Sequence, residues 1–277
     1  GTALLTSLPS LEMIEGHAFY YFAGFVQITA GDMVNLTSIG PSCFRSCNQD
    51  AIVSIGALPT LENIQSYAFY YFRGTLQIAA GDMHQLVYVA YRAFAHCNNP
   101  DTSVDIGAVP SLQRIENYAF QSFGGTLRIS ANGMPELIYF GYASFNSFGG
   151  AMHIAAGNLS KLIYVGAHAF SSCKNPNSTV SIGAVPSLER IEYNAFDAFG
   201  GNLQITSGGM QALSYIGRYS FYNCNHPDSF VDFGDAPSLG RIEVHAFQYM
   251  EGTVHIDAMV SLSYIDDCAF QFFQGTL

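Results

Sequence analysis

Apolar residues recur along this chain at a nearly fixed interval. An Ala-Phe dipeptide or close variant places its aromatic at Phe19, Phe44, Phe69, Phe94, Phe120, Phe145, Phe170, Phe196, Phe221, Phe247 and Phe270, in steps of 25, 25, 25, 26, 25, 25, 26, 25, 26 and 23 residues. Self-similarity at such a period marks a repeat architecture. Each unit carries two short apolar pieces. The first alternates, as in Leu76 and Ile78, Val104 and Ile106, or Leu203 and Ile205. A period of two, followed by a small residue, predicts a short half-buried strand. The second is Leu-x-x-Ile, as in Leu61 with Ile64 and Leu112 with Ile115. It runs into the Ala-Phe, where a tight turn or one helical turn is expected.

One unit cannot bury these positions alone, whereas stacked units bury each apolar column against its neighbours. The predicted fold is a repeat solenoid, mainly β with short helical turns. It has about eleven coils of 25–26 residues sharing a parallel β-sheet, and residues 1–277 form one array or a segment of a longer one. At ~4.8 Å per coil, the rod is on the order of 50 Å long.

Two kinds of unit can be told apart three residues after the Phe. One places an aromatic there, as at Phe22, Phe72 and Phe123; the other places Cys47, Cys97, Cys173 or Cys224. Cys-type units never adjoin, so these thiols stand at least two coils apart, on the order of 10 Å. That exceeds the ~7 Å Cα limit for a disulfide, and they read as small buried hydrophobes. Cys43 and Cys47 are near in sequence but poorly placed to bond, and Cys268 has no obvious partner.

The run Val89, Ala93-Phe94, Cys97, Val104, Ile106, Pro110, Leu112, Ile115, Ala119-Phe120 resembles the BspA-like leucine-rich repeats, and its pattern recurs in every unit. The resemblance implies that the Val-x-Ile piece lines the concave side of a solenoid. It also implies a surface or secreted protein used in adhesion and in binding other proteins.

Between the two apolar positions of the first piece stand Gln27, Ser54, Gln77, Asp105, Arg128, His153, Ser181, Gln204, Asp232 and His255. With the small residues that follow, they form a bland face, either solvated or a flat patch for close packing. Phe25, Ile52 and Phe230 are its apolar exceptions and a candidate patch. The third residue of Leu-x-x-Ile is more distinctive: Tyr88, Arg114, Tyr139, Tyr164, Arg190, Tyr215, Arg241 and Tyr264. Consecutive coils would set these side by side as a ladder. It is either internal stacking along the rod or a contact strip, since Tyr and Arg are enriched at interface hot spots.

Charge narrows the partners. Among 277 residues only 11% are charged, and the formal net charge is −11. That argues against nucleic acid or an anionic membrane, and no run approaches the ~18 apolar residues of a spanning helix. Catalytic chemistry finds no constellation. His17, His168 and His245 share one column and His153 and His255 another, each several coils apart. No C-x-x-C pair or zinc spacing appears, so no metal, cofactor or catalytic residue is expected. The turns Gly31-Asp32-Met33 and Gly81-Asp82-Met83 read as turns with a core Met rather than calcium sites. Asn35, Asn158 and Asn177 head sequons that would accept glycans in a eukaryotic secreted protein.

The terminal segments Gly1-Thr2-Ala3-Leu4 and Gly275-Thr276-Leu277 resemble the internal Gly-Thr-Leu motif, without a polar cap. Uncapped coils expose apolar columns and strand edges. The chain is either a fragment of a longer array or a subunit that docks end to end. The leading expectation is a non-enzymatic extracellular structural protein. Its subunits would stack head to tail through Leu4, Leu5, Phe270, Phe273 and Leu277 into a surface filament or coat. The alternative is a cell-surface adhesin or protein-binding module.

Overall fold

The computed structural model describes residues 2–5, 8–29, 33–79, 81, 83–130, 134–206 and 209–277. Every alternating piece becomes a strand, as at Thr75–Ala79, Ser103–Asp105 and Thr126–Ile129. These strands assemble in chain order into an eleven-stranded parallel sheet. The Leu-x-x-Ile pieces supply a second eleven-stranded parallel sheet, built from two-residue strands such as Tyr88–Val89 and Arg114–Ile115. Only one sheet was expected. Two paired residues are too few to show a period, so the second is invisible to pattern reading.

The expected helical turns are replaced by a different device. No helix occurs among the described residues. Around each repeat Phe, the residues two before and two after it adopt positive φ, as at Tyr118 (60°) and Ser122 (52°) around Phe120. The backbone then alternates its partners. The N–H groups of Tyr118, Phe120 and Ser122 donate to Tyr142, Ser144 and Asn146 of the next coil. Those of Ala119, Gln121 and Phe123 turn back to Glu116, Tyr118 and Phe120. A left-handed L-residue costs roughly 1–2 kcal/mol, and the inter-coil bonds offset that cost by satisfying groups that would otherwise be stranded. From Phe19 to Phe247 the repeat Phe N–H reaches the next coil at 2.7–2.8 Å. This is a third ladder beside the two sheets.

The core follows the same axis. The rings from Phe19 to Phe270 form one uninterrupted stack, with centroids 4.9–5.3 Å apart and planes within 8° of parallel. Phe72 and Phe199 stand edge-on to the Phe of their own coil. The Cys-type coils leave room for such rings, and where two aromatic coils adjoin, Phe123 and Phe148 stack at 5.2 Å. Met33, Met83, Met134 and Met210 are buried, as the turn motifs imply; Gly31, Asp32 and Asp82 lie outside the described residues. Gly150 has no room for a Cβ, because the Gly125 carbonyl of the preceding coil occupies that space.

Register in the first sheet departs from a column-by-column alignment. Ile78 of an aromatic coil pairs with Val104 of the Cys-type coil, and Val104 then pairs with Leu127. The slip is two residues, so each side chain keeps its face.

Candidate binding surface

The second sheet brings the expected ladder together. Tyr88, Arg114, Tyr139, Tyr164, Arg190, Tyr215, Arg241 and Tyr264 are direct partners on successive strands. The apolar residue that follows each of them is buried from Val89 to Ile242, so these side chains point outward. The three arginines are exposed, and the tyrosines are half-buried except for exposed Tyr264. Tyr139 and Tyr164 stack at 5.0 Å. Arg190 lies 4.1 Å from the Tyr215 centroid, Arg241 5.6 Å from Tyr264 and Arg114 5.8 Å from Tyr88.

Each ladder arginine also has a carboxylate two residues on. Arg114 lies 3.7 Å from Glu116, Arg190 2.7 Å from Glu192 and Arg241 3.3 Å from Glu243. Arg241 is further held by Asp266. The Tyr139 hydroxyl donates to Glu116 at 2.7 Å. Burial, with that hydrogen bond behind it, raises the Tyr139 pKa, and burial first of all raises that of Tyr215. The strip is thus a row of neutral phenols and charge-balanced guanidinium groups.

A second aromatic surface lies along the Phe-centred turns, and sequence reasoning missed it. Arg45 sits 5.6, 5.2 and 5.1 Å from the ring centres of Tyr20, Tyr67 and Tyr70. Arg92 sits 5.7, 5.3 and 4.8 Å from those of Tyr70, Tyr91 and Tyr118. His96 stacks on Tyr71 at 4.6 Å, and burial followed by the Arg92 charge lowers its pKa, so it is neutral at pH 7. Among the described residues no carboxylate lies within ion-pair distance of Arg45, Arg73 or Arg92. The signal was available as Tyr, His and Arg crowding the positions beside the repeat Phe residues from Phe19 to Phe120.

The other candidates separate. Phe25 and Ile52 lie on neighbouring strands, but Phe25 pairs with Thr2 and Ile52 with Gln27 and Thr75. Phe230 pairs with Gln204 and Thr253 near the other end of the sheet. The three residues do not form one patch. Asn35 and Asn158 are exposed but engaged, Asn35 donating to Pro9 and Asn158 accepting from Ala184. Asn177 is exposed on its loop. Leu4 and Leu277 are exposed at 60% and 71%. Leu5, Phe270 and Phe273 pack half-buried on the core. An apolar cavity of about 240 Å³, lined by Leu5, Leu8, Leu11, Met13 and Phe19 among others, opens beside the first coil.

All six cysteines are free thiols. The Sγ of Cys47, Cys97, Cys173 and Cys224 donates at 2.9–3.2 Å to Phe19, Phe69, Phe145 and Phe196, the repeat Phe of the preceding coil. Burial pushes the Cys47 pKa up to about 11 and that of Cys173 to about 12, so these thiols do not ionise near neutrality. Several histidines make ring or surface contacts. His168 meets Tyr142 and Tyr193, His245 stacks on Tyr219, and His255 lies between Asp232 and Asp257. Among the described residues no group of three or more His, Cys, Asp or Glu side chains is placed to hold a metal ion. No helix among them is long and apolar enough to cross a membrane.

The model of the BspA type leucine-rich repeat region matches six copies in this chain, over residues 5–126, 51–174 and 143–275. Among solved structures, a leucine-rich repeat protein from Bacteroides ovatus aligns at 14% identity over 98% of this chain and 85% of that one, with a TM-score of 0.41. No curated protein matches.

Proposed function

We propose, from the premise that this chain belongs to the BspA-type leucine-rich repeat family, that it is a cell-surface or secreted adhesin module that binds another protein through the Tyr/Arg ladder of its second sheet. The family's repeats are protein-binding and generally non-catalytic, and the ladder is the observation that carries the reading. Tyr and Arg dominate interface hot spots because each combines a large apolar contact with a polar tip. Here they form an unbroken strip from Tyr88 to Tyr264, held in line by strand pairing. Its arginines are already neutralised, so contact with a partner strands no buried charge.

Solid-phase binding of the purified chain to a panel of immobilised extracellular-matrix proteins tests this. A bound partner should lose about tenfold or more in affinity on Tyr164→Ala or Tyr215→Ala, the size of a hot spot. Ser181→Ala on the first sheet should leave it unchanged. Equal binding by all three variants refutes the strip as the contact.

A second reading, head-to-tail stacking of copies into a filament, draws on the apolar cavity beside the first coil and on the exposure of Val260, Ile265 and Leu277. Mass in solution across a concentration series decides it: open-ended growth supports stacking, and a constant monomer rejects it.

A further inference from the structure

The turn surface offers what the ladder does not, arginines with no carboxylate within ion-pair distance among the described residues, on a chain of net charge −11. Arg45 and Arg92 share the Tyr70 ring, and the neighbouring Tyr71 leads into an open cleft of about 370 Å³. Gln49, Tyr71, Arg73, His96, Asn98 and Asn99 line it. Arg73, Gln49 and Asn98 are exposed there. A second cleft of about 360 Å³ continues the surface, lined by Tyr118, Gln121, Tyr142, Asn146 and His168 among others. Arg92 sits over Tyr118 at its edge. The Nε atoms of Arg45 and Arg92 are both buried and have no hydrogen-bond partner.

We propose that the turn surface between Tyr20 and Tyr142 is a binding site for an acidic glycan, a polysaccharide bearing uronate or sulfate groups. Exposed tyrosine faces suit the apolar faces of sugar rings, and side-chain amides suit their hydroxyls. Uncompensated guanidinium groups suit carboxylate or sulfate, to which they give charge-assisted, bidentate hydrogen bonds. An extended peptide fits less well, because strand-like capture needs free backbone donors and acceptors. Along this surface the backbone is already spent between coils: Tyr71 donates to Ala95, Arg92 to Asn117, His96 to Gln121 and Tyr118 to Tyr142. At these turns it is the side chains that meet a ligand. This site is independent of the ladder and stands or falls without it.

Calorimetric titration of the full chain with four probes tests the assignment: polygalacturonate, dextran sulfate, neutral dextran and polyglutamate. Binding to polygalacturonate or dextran sulfate, with none to dextran and much weaker binding to polyglutamate, is expected; the two acidic probes tell carboxylate from sulfate recognition. Arg73→Gln, at an exposed position that folding does not need, should weaken that binding about tenfold, the scale of one charged hydrogen bond. Tyr71→Ala should weaken it further. Arg128→Gln, the same charge change on the first sheet, should leave it intact. No binding to either acidic glycan, equal affinity for polyglutamate, or equal loss in Arg128→Gln overturns the proposal.

Discussion

The ladder and the turn surface both set Tyr against Arg and overlap along part of the array, yet they solve opposite electrostatic problems. In the second sheet Arg114, Arg190 and Arg241 each meet a carboxylate two positions on. Strand geometry makes that possible, since residues two apart face the same way. In the turns, Arg45 and Arg92 are cradled by tyrosine rings alone. Alternating left-handed residues fan the side chains outward there, and the positions flanking Phe44 and Phe94 hold aromatic or small residues rather than acids. On the two proposals above, the charge left over after local pairing, rather than side-chain type, sets what each surface recognises.

The largest perturbation removes the scaffold that both surfaces share. Phe145→Ala deletes a fully buried ring from the middle of the stack, and such core truncations cost about 3–5 kcal/mol. Denaturant unfolding should register the loss, and binding at both surfaces should fall together. Independent behaviour of the two would show that the coils are less coupled than the stack implies.

Backbone conformation separates the turns from the second sheet next. Ala198 has φ of 53°, so Ala198→Gly should raise stability by up to about 1 kcal/mol, against the usual direction of that change. Asn63→Gly in the two-residue strand Asn63–Ile64 should lower it by roughly 0.5–1 kcal/mol. Thermal melts of the pair check both signs.

A smaller change should turn one surface into the other. Glu116→Gln with Glu192→Gln leaves Arg114 and Arg190 uncompensated while costing about 1 kcal/mol per pair, since the arginines are exposed and the glutamates only half-buried. The ladder should then gain affinity for dextran sulfate in the titration described above. No gain would mean that charge balance is not what distinguishes the surfaces.

The smallest effect lies on the first sheet. Hydrogen bonding to Asp232, then the Asp257 charge, raises the His255 pKa. Its stabilising contribution is complete below the ordinary histidine value of 6.5 and is lost as pH rises through the higher folded value. Burial, then Arg128, lowers the His153 pKa, so stability falls as pH drops from 6.5 toward that lower value. NMR titration of the two imidazoles should place them on opposite sides of 6.5; the same side for both would contradict the pairing.

Much of this was legible in the chain. The Phe column, the alternating strands and the thiols as core residues all follow from spacing, because stacking forces equivalent residues into equivalent places. The Tyr/Arg ladder was legible for the same reason. What escaped reading depends on backbone geometry rather than on burial. The left-handed positions beside Phe120 are Tyr118 and Ser122, not glycines, so nothing marked them as special. The two-residue slip between Ile78 and Val104 preserves facing and hence the pattern, which hid it. The turn surface escaped because Tyr70 and Arg92 occupy different positions relative to their Phe residues, and only the folded turn brings them into contact.

The measurement that bears most directly on the difference between the surfaces is an NMR titration of this 30.1 kDa chain, with dextran sulfate added while the arginine Nε–Hε signals are followed. Shifts confined to Arg45, Arg73 and Arg92, with Arg114, Arg190 and Arg241 unmoved, are the predicted result. Shifts in the ladder arginines, or in none of the six, would contradict it.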